Sequence, residues 1–581
     1  MTAPTAPPSS AGPTRERRRP RWVFPDAPDA AVVAALSAAL RLPPPICALL
    51  ARRGFVEIDG AKRFLRPRLD QLHDSASMHG MSDAVERITR AIAAGERIMV
   101  HGDYDVDGMT STALLVRVIR ELGGTATPFI PHRVRDGYDL SDAGVDAAIA
   151  DGARILLTAD CGTSAHAAVA RACAAGIDVI VTDHHLPGGP LPECLAILNP
   201  RQPLCTYPDK SLVAAGIAFK LALALVRAAG ASESLVHRHL DLVALATIAD
   251  VAPLRGENRV LARLGLRVLA NQPSIGLRAL IRAAGLDGKA LTAGRVGYVL
   301  APRLNAVGRI GHGLRGVELL LADDEHTANA IARELEEMNR ERQQIDRETL
   351  ATAMKRLDSI DLDDTAGLVI AEPGWHPGVI GIVASRLVEE VCRPTVLVAL
   401  EGDMGKGSGR SIPAFDLHGA LARCRDLLVR FGGHRAAAGI SIERGRVDDF
   451  AERFNDVAKE TLSPQDLVHD LRIDLELALS DAGFELDALL RHFEPFGIGN
   501  AAPVFIARGV RLSAPPRAVG DGHLKLRLEQ NGAYLDAIGW GLGPLAATLS
   551  QGDAIDAAFR LERDDWNGAP RMQARLADIR A

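Results

Sequence analysis

Three aspartates at alternate positions, directly after a short apolar run, constrain this chain more than any other feature. Arg97-Ile98-Met99-Val100 reads as a strand, and His101-Gly102-Asp103-Tyr104-Asp105-Val106-Asp107-Gly108 follows it. If the backbone stays extended, alternation puts Asp103, Asp105 and Asp107 on one side. Carboxylates so placed repel one another unless a cation sits among them, and a divalent metal meets that need. Gly108 lets the chain turn tightly into a helix, for which Gly108 to Leu122 has the spacing. An EF-hand calcium loop is excluded. Counted from Asp103, the twelfth position, where such a loop carries glutamate, is Leu114.

The pattern of a strand running into an acid recurs. Strand 155–158 leads to Asp160, strand 178–182 to Asp183-His184-His185, and residues 243–249 to Asp250; the Ala-rich run from Ser164 to Ala175 is helical. Strands alternating with helices predict a mostly parallel sheet covered on both faces. Residues just past the carboxyl ends of such strands gather along one crest, where ligands bind. Any one of these acids alone is compatible with a helix cap or a satisfied loop. Together, four segments deliver Asp or His to one edge. Carboxylates with imidazole suit manganese, magnesium or zinc, and the number of oxygen donors favours manganese or magnesium. There are enough donors for two ions, an arrangement suited to hydrolysing a phosphodiester or phosphoanhydride. Cys161 has no partner cysteine and reads as a packed small residue.

Composition narrows the setting. The chain has 581 residues, a length that suggests about four domains, and 47% hydrophobic with 24% charged residues is ordinary for a globular protein. A net charge of −6 leaves nucleic acid open without supporting it, so any such site is a local basic patch. The seven cysteines form no C-x-x-C pair, which argues against a zinc ribbon or a disulfide framework and for a reducing compartment. No apolar signal core opens the chain, and Leu212 to Ala229 is interrupted by Lys220 and Arg227, so it reads as a buried helix rather than a membrane span. A soluble, cytoplasmic protein is expected.

Further along, Asp323 to Leu357 is a charged stretch without Gly or Pro, with i,i+4 pairs such as Glu336 and Arg340, and reads as a long helix between domains or on a surface. A second α/β unit follows, with strands at Gly367–Ala371 and Thr395–Leu400, a helix at Val379–Val391, and glycine-rich loops at 405–411 and 432–439. From about residue 465 the texture changes to short alternating segments such as Leu524–Leu528, which suggest a small β-barrel or sheet.

The segments around Asp105, Asp160, Asp183-His184-His185 and Asp250 resemble the four motifs of the DHH phosphoesterase superfamily. The octapeptide from His101 to Gly108 is specific for its RecJ-like branch, and the similarity runs from about residue 75 to the C-terminus. Composition gives a disordered basic tail (1–22) and residue spacing an N-terminal helical segment (23–75); the resemblance then implies a DHH catalytic domain with a parallel sheet (76–322), a bridging helix (323–360), a second α/β DHH-associated domain (361–464) and a C-terminal OB-fold β-barrel (465–581). It implies that Asp105 and Asp107 hold two metals bridged by Asp160, that His184 and Asp250 complete the second site, and that Asp103 and His101 lie close by. His185 would face the scissile phosphate, with a hydrogen bond to a ligand as the alternative.

Ala301 to Arg309 resembles a family segment that brings Arg303, Asn305 and Arg309 toward the crest, where the guanidinium fork suits phosphate. Trp375 to Gly381, Gly407 to Ser411 with Ser408 and Arg410, and Gly432 to Gly439 with Gly433 and His434 resemble the DHH-associated domain, whose glycines would bring backbone amides to an anion. The region including Pro495-Phe496-Gly497-Ile498-Gly499-Asn500 resembles the OB-fold. Its candidate stacking aromatics are Phe493, Phe496, Phe505, Tyr534, Trp540 and Trp566, with Phe505 and Trp540 expected in the core.

The implied activity is single-strand-specific 5′-to-3′ exonuclease action on DNA, with Asp103, His185 and Arg309 as catalytic groups and two Mn2+ or Mg2+ ions per site. It would release 5′-mononucleotides in repair and recombination. The implied partners are single-stranded DNA, a single-strand-binding protein and a helicase, but no membrane, and a monomer is expected. An oligoribonuclease or pyrophosphatase of the same superfamily would use the same metals but leaves the last region without a role. A scaffold that has lost catalysis is disfavoured because every candidate ligand is present.

Overall fold

Short strands of three to six residues form a five-stranded parallel sheet in the spatial order Thr125–Phe129, Arg97–Gly102, Ile155–Ala159, Asp178–Thr182 and Ala196–Leu198. The computed structural model describes residues 19–580 apart from 134, 138, 521 and 565–569. The sheet lies in the first of two units, which comprises Pro28–Asn339 and Ala488–Ala502. Alternate strand residues face opposite layers. Ile98, Val100, Ile155, Leu157 and Ile180 pack with the helices Met81–Ala94, Val106–Glu121 and Ala214–Ala228. Met99, Leu156, Val179 and Val181 pack with Asp142–Asp151 and His166–Ala174. The inner strands, such as Ile155–Ala159, are buried along their whole length and largely apolar because both faces are covered. The next strand in sequence, Thr125–Phe129, is added on one side of Arg97–Gly102 and Ile155–Ala159 on the other, so the crevice at which such sheets bind ligands opens between the ends of Arg97–Gly102 and Ile155–Ala159.

One expected strand is not a strand. Residues 243–249 belong to the helix Leu240–Ala249, and Asp250 is its C-cap. That helix is buried on nearly every side, so its sequence carries no 3.6-residue polar stripe to set it apart from a buried strand. The tail expected to run to residue 22 also ends earlier. Arg21–Val23 pairs in parallel with Asp470–Arg472, and the Trp22 indole donates to Asp578 at 2.7 Å; residues 1–18 lie outside the described residues. Among the described residues no single helix is long and apolar enough to cross a membrane.

The charged stretch forms one helix, Glu325–Leu357, in which the residues up to Asn339 belong to the first unit and those from Arg340 to the second. The second unit carries a mixed sheet in the order Arg430–Gly433, Ala437–Glu443, Met404–Arg410, Thr395–Glu401 and Leu368–Pro373, with only the last two parallel. The glycine-rich segments expected as loops are therefore largely strands. Their glycines serve packing: a Cβ on Gly407 would lie 2.5 Å from Ile440, and one on Gly405 2.6 Å from Val398. Met404–Arg410 is flanked on both sides, so its backbone amides are committed to the sheet rather than open to an anion.

The C-terminal strands close a barrel: Phe505–Leu512 pairs with Ala554–Asp564, then come Arg571–Arg580, Ala533–Gly539 and His523–Gln530, which returns to Phe505–Leu512 at Arg511 and Leu512. Phe505 is in its core as expected, but Trp540 is 45% exposed because it follows the last inward position of its strand. Tyr534 is exposed, Phe496 half-buried and Phe493 buried; Trp566 lies outside the described residues.

Pro495–Asn500, read from sequence with the barrel, packs instead in the first unit. The Arg259 guanidinium donates to the carbonyls of Phe493 (2.8 Å) and His492 (3.0 Å) and to that of Phe64 (2.9 Å), and stacks on the Phe64 ring at 3.8 Å. Leu254 N–H donates to Ile498 O at 2.8 Å. Removing the guanidinium strands three buried carbonyls, so Arg259→Leu is expected to cost about 2–4 kcal/mol in denaturant unfolding of the first unit. An unchanged midpoint would contradict this role.

Candidate active site

The crest is built by a ladder that runs one step past the strands. Asp103 N–H donates to Ala159 O (3.1 Å), Asp160 N–H to Thr182 O (2.9 Å) and Asp183 N–H to Leu198 O (3.1 Å). Three aspartates are thereby fixed side by side at successive strand ends. Asp160 takes φ +71°, a strained conformation that Asp tolerates better than most residues.

Asp103, Asp105 and Asp107 do not converge by extended alternation. Asp105 caps the helix Val106–Glu121, its Oδ1 accepting from Asp107 N (2.9 Å) and Gly108 N (3.2 Å). Asp107 sits in the first turn, where its carboxylate accepts from the Ala214 and Ala215 amides at 2.8 Å each, at the start of another helix. Gly108 is needed for room: a Cβ there would lie 2.5 Å from both N and O of Asp103.

Three sets of donor atoms each fall within 4.8 Å of one another: Asp103 with Asp105 and Asp160, Asp107 with His184 and Asp250, and Asp160 with His184 and His185. His184 Nε2 lies 3.1 Å from Asp160 Oδ1, 3.7 Å from Asp107 Oδ2 and 3.9 Å from Asp250 Oδ2. Burial, then the neighbouring carboxylates, pushes Asp103, Asp107 and Asp160 far above the usual carboxylate range; burial and Asp105 push Asp250 up to about 7. Burial and His185 bring His184 down to about 3, so its imidazole is neutral. Oδ1 of Asp103 and Oδ1 of Asp160 are buried without a hydrogen bond. A neutral imidazole among crowded, desolvated carboxylates fits a divalent cation, and the oxygen-rich donor set suits Mn2+ or Mg2+.

Asp183 is not one of the converging donors. Its Oδ1 accepts from His184 N (2.7 Å), His185 N (3.1 Å) and His185 Nδ1 (2.7 Å), and its Oδ2 from Thr163 N (3.0 Å). These bonds hold Asp183 well below the carboxylate range although burial acts the other way, and they raise His185 to about 9, again against burial. The His185 ring is 47% exposed. Asn199, fully buried, donates to Thr163 Oγ1 (3.0 Å) and His185 O (2.8 Å), while Asp139 accepts from Gly162 N (2.7 Å). Sequence reasoning missed Asn199 because the strand before it, Ala196–Leu198, has three residues, too few for a pattern.

Two other candidates are committed inside the protein. Arg303 pairs with Glu336 at 2.5 Å and donates to Val299 O, and the Asn305 side-chain oxygen accepts from Val106 N at 3.2 Å, at the start of the Asp107 helix. His101 is a correction too. It is fully buried, stacked on Phe129 at 5.1 Å, with Nδ1 3.6 Å from Cys161 Sγ and burial holding it at about 4, so it cannot touch a substrate. Burial also pushes the Cys161 thiol far up, consistent with a packed residue. Arg309 acts electrostatically on Tyr104, next to Asp103.

In the second unit Arg410 donates to Ser408 Oγ at 3.0 Å. A Cβ on Gly381 would lie 2.8 Å from both groups, so glycine in the first turn of the helix Ile380–Val391 lets them sit against it. Gly433 lies on the edge strand with φ +137°, and His434 beside it is exposed, its Nδ1 accepting from Ala436 N at 3.2 Å.

Known proteins share these features. The DHH family N-terminal domain matches residues 97–247, the DHHA1 domain residues 364–460 and the RecJ OB domain residues 473–578. Fold and crest are thus those of a DHH protein with its associated domain. The single-stranded-DNA-specific exonuclease RecJ of Escherichia coli is 37% identical over 560 residues, spanning 93% of this chain and 96% of its own, and that of Bacillus subtilis 36% over 561 residues, spanning 96% and 70%. The crystal structure of RecJ from Thermus thermophilus in complex with Mn2+ superposes with a TM-score of 0.84 at 33% identity, covering 97% of this chain and 79% of that one. This chain belongs to the RecJ family.

Asp183 orients the His184–His185 turn through three bonds, so Asp183→Asn should weaken Mn2+ binding about 10- to 100-fold by titration calorimetry. Wild-type affinity in that variant would show that the turn holds itself.

Proposed function

We propose that this chain is a single-strand-specific DNA exonuclease that digests from the 5′ end and releases 5′-mononucleotides, using two ions of Mn2+ or Mg2+. The observation that supports this reading is the pair of donor triads Asp103–Asp105–Asp160 and Asp107–His184–Asp250, with His184 Nε2 3.1 Å from Asp160 Oδ1. Asp103, Asp105 and Asp160 would hold one ion, and Asp107, His184 and Asp250 the other, with Asp160 between them. When bound, such ions supply Lewis acidity for water activation and for charge developing on the phosphate. The chain supplies the rest. Asp183 keeps His185 oriented and positively charged, so its exposed ring can donate to a phosphate oxygen at the crest. Arg309, near Tyr104, adds charge on the Asp103 side.

In the second unit, Arg410 and Ser408 at the start of Ile380–Val391, with Gly433 and His434, form a phosphate-binding surface. The barrel offers a second. Lys525 and Arg517 stand directly opposite each other on neighbouring strands, a repulsion that an anion relieves. Arg527 lies over Tyr534 at 5.3 Å and His523 packs against Trp540 at 4.3 Å with the ring planes tilted by 59°, and both aromatics are exposed. Basic groups interleaved with exposed rings suit phosphates and unpaired bases. That face favours a polymer substrate over pyrophosphate or a very short oligonucleotide.

The test is a time course on one DNA strand labelled at its 5′ end and, separately, at its 3′ end. Immediate release of a labelled mononucleotide from the first, a gradually shortening ladder from the second, and loss of both on adding EDTA are expected. The opposite pattern would reverse the direction, and no cleavage by the folded, Mn2+-loaded protein would contradict the reading.

A further inference from the structure

Cations on the two sides of the crest are unequal. On the Asp103 side, Arg133 stacks over the Tyr104 ring at 4.8 Å, and Arg309 acts on the same tyrosine. Arg303 is paired with Glu336, and Lys210 donates to the carbonyls of Pro200 (2.7 Å) and Cys205 (2.6 Å). Among the described residues, an arginine that acts on both His184 and Asp250 is Arg201, in the loop after the fifth strand, which the sequence patterns did not single out.

Arg201 is held at both ends. Its backbone N–H donates to Asn199 Oδ1 at 2.8 Å. The same Asn199 amide donates to the carbonyl of His185 at 2.8 Å and to Thr163 at 3.0 Å, and Thr163 N–H binds Asp183. One fully buried side chain therefore ties the Arg201 backbone to the turn carrying His184 and His185. Further out, Arg201 Nε donates to Lys210 O at 3.0 Å, which fixes the plane of the guanidinium. The terminal nitrogens have no partner among the described residues, and the side chain is exposed. Its charge reaches the metal donors: burial is the main influence on His184 and Asp250, and Arg201 acts on both. An arginine anchored at Nε, with both terminal nitrogens open beside a crowd of carboxylates, is arranged to receive an oxyanion bidentately.

We propose that Arg201 binds a backbone phosphate of the DNA strand on the His184–Asp250 side of the metal centre, and that Asn199 is the positioning residue that sets it there. This rests on the nuclease reading above. Its role is substrate binding rather than metal binding, because its charge opposes that of a cation.

The test compares full-length wild type, Arg201→Ala and Arg201→Lys in Mn2+, measuring kcat and KM on single-stranded DNA across a salt series, with Mn2+ affinity measured separately without DNA. Arg201 is exposed, so the fold should survive, and thermal unfolding checks this. Arg201→Ala should raise KM and make log KM less steep in log salt by about 0.7, the loss of one phosphate contact on a single strand. Arg201→Lys should keep most of the slope, and Mn2+ affinity should not fall in either variant. An unchanged slope in Arg201→Ala would overturn the proposal whatever happens to KM, and so would a loss of Mn2+ affinity that accounts for the loss of activity. Wild type that fails to cut DNA would instead remove the nuclease reading itself.

Discussion

Several carboxylates buried around one point are the constraint on which the catalytic unit depends. Asp103, Asp107 and Asp160 are each almost wholly removed from water and face one another. Such a cluster is costly in an empty protein and becomes favourable when it is shared by divalent cations. The surrounding structure has to hold the acids in place against that repulsion.

It does so with backbone rather than with opposing side-chain charge. Successive amides extend the sheet ladder to fix Asp103, Asp160 and Asp183. The start of Ala214–Ala228 holds Asp107, where two alanines give the carboxylate access to the amides. Gly108 lets the Asp107 helix approach Asp103, and a Cβ on Gly308 would lie 2.1 Å from Tyr104 O, so a second glycine lets Ala301–Ile310 close in from the other side. Arg303 is paired with Glu336.

How much of this could be read from sequence depended on the physical signal at each residue. The parallel sheet was legible because strands buried on both faces are apolar and end in polar residues, as at Ile155–Ala159 and Asp160. The clustering of Asp105, Asp107, Asp160, His184 and Asp250 followed from that. Asp250 was placed at a strand end although it caps a helix, since a helix buried all round loses its periodic signature. The glycine-rich strands of the second unit read as loops because flexibility and tight packing call for the same residue. His101 looked available beside three acids, yet its ring points into the helix layer, where a Cβ on Gly144 would lie 2.5 Å from it. Asn199, Arg201 and Asp139 carried no pattern, because their roles arise from contacts between loops that follow different strands.

On the proposed reading the crest would hold two ions, one at Asp103, Asp105 and Asp160 and the other at Asp107, His184 and Asp250. Crystals grown with Mn2+ and measured at the manganese absorption edge test it directly. The account predicts two anomalous peaks flanking the Asp160 carboxylate, one beside Asp103 and Asp105 and the other beside Asp107, His184 and Asp250. A single peak away from Asp160, or none in crystals shown to contain manganese, would contradict it.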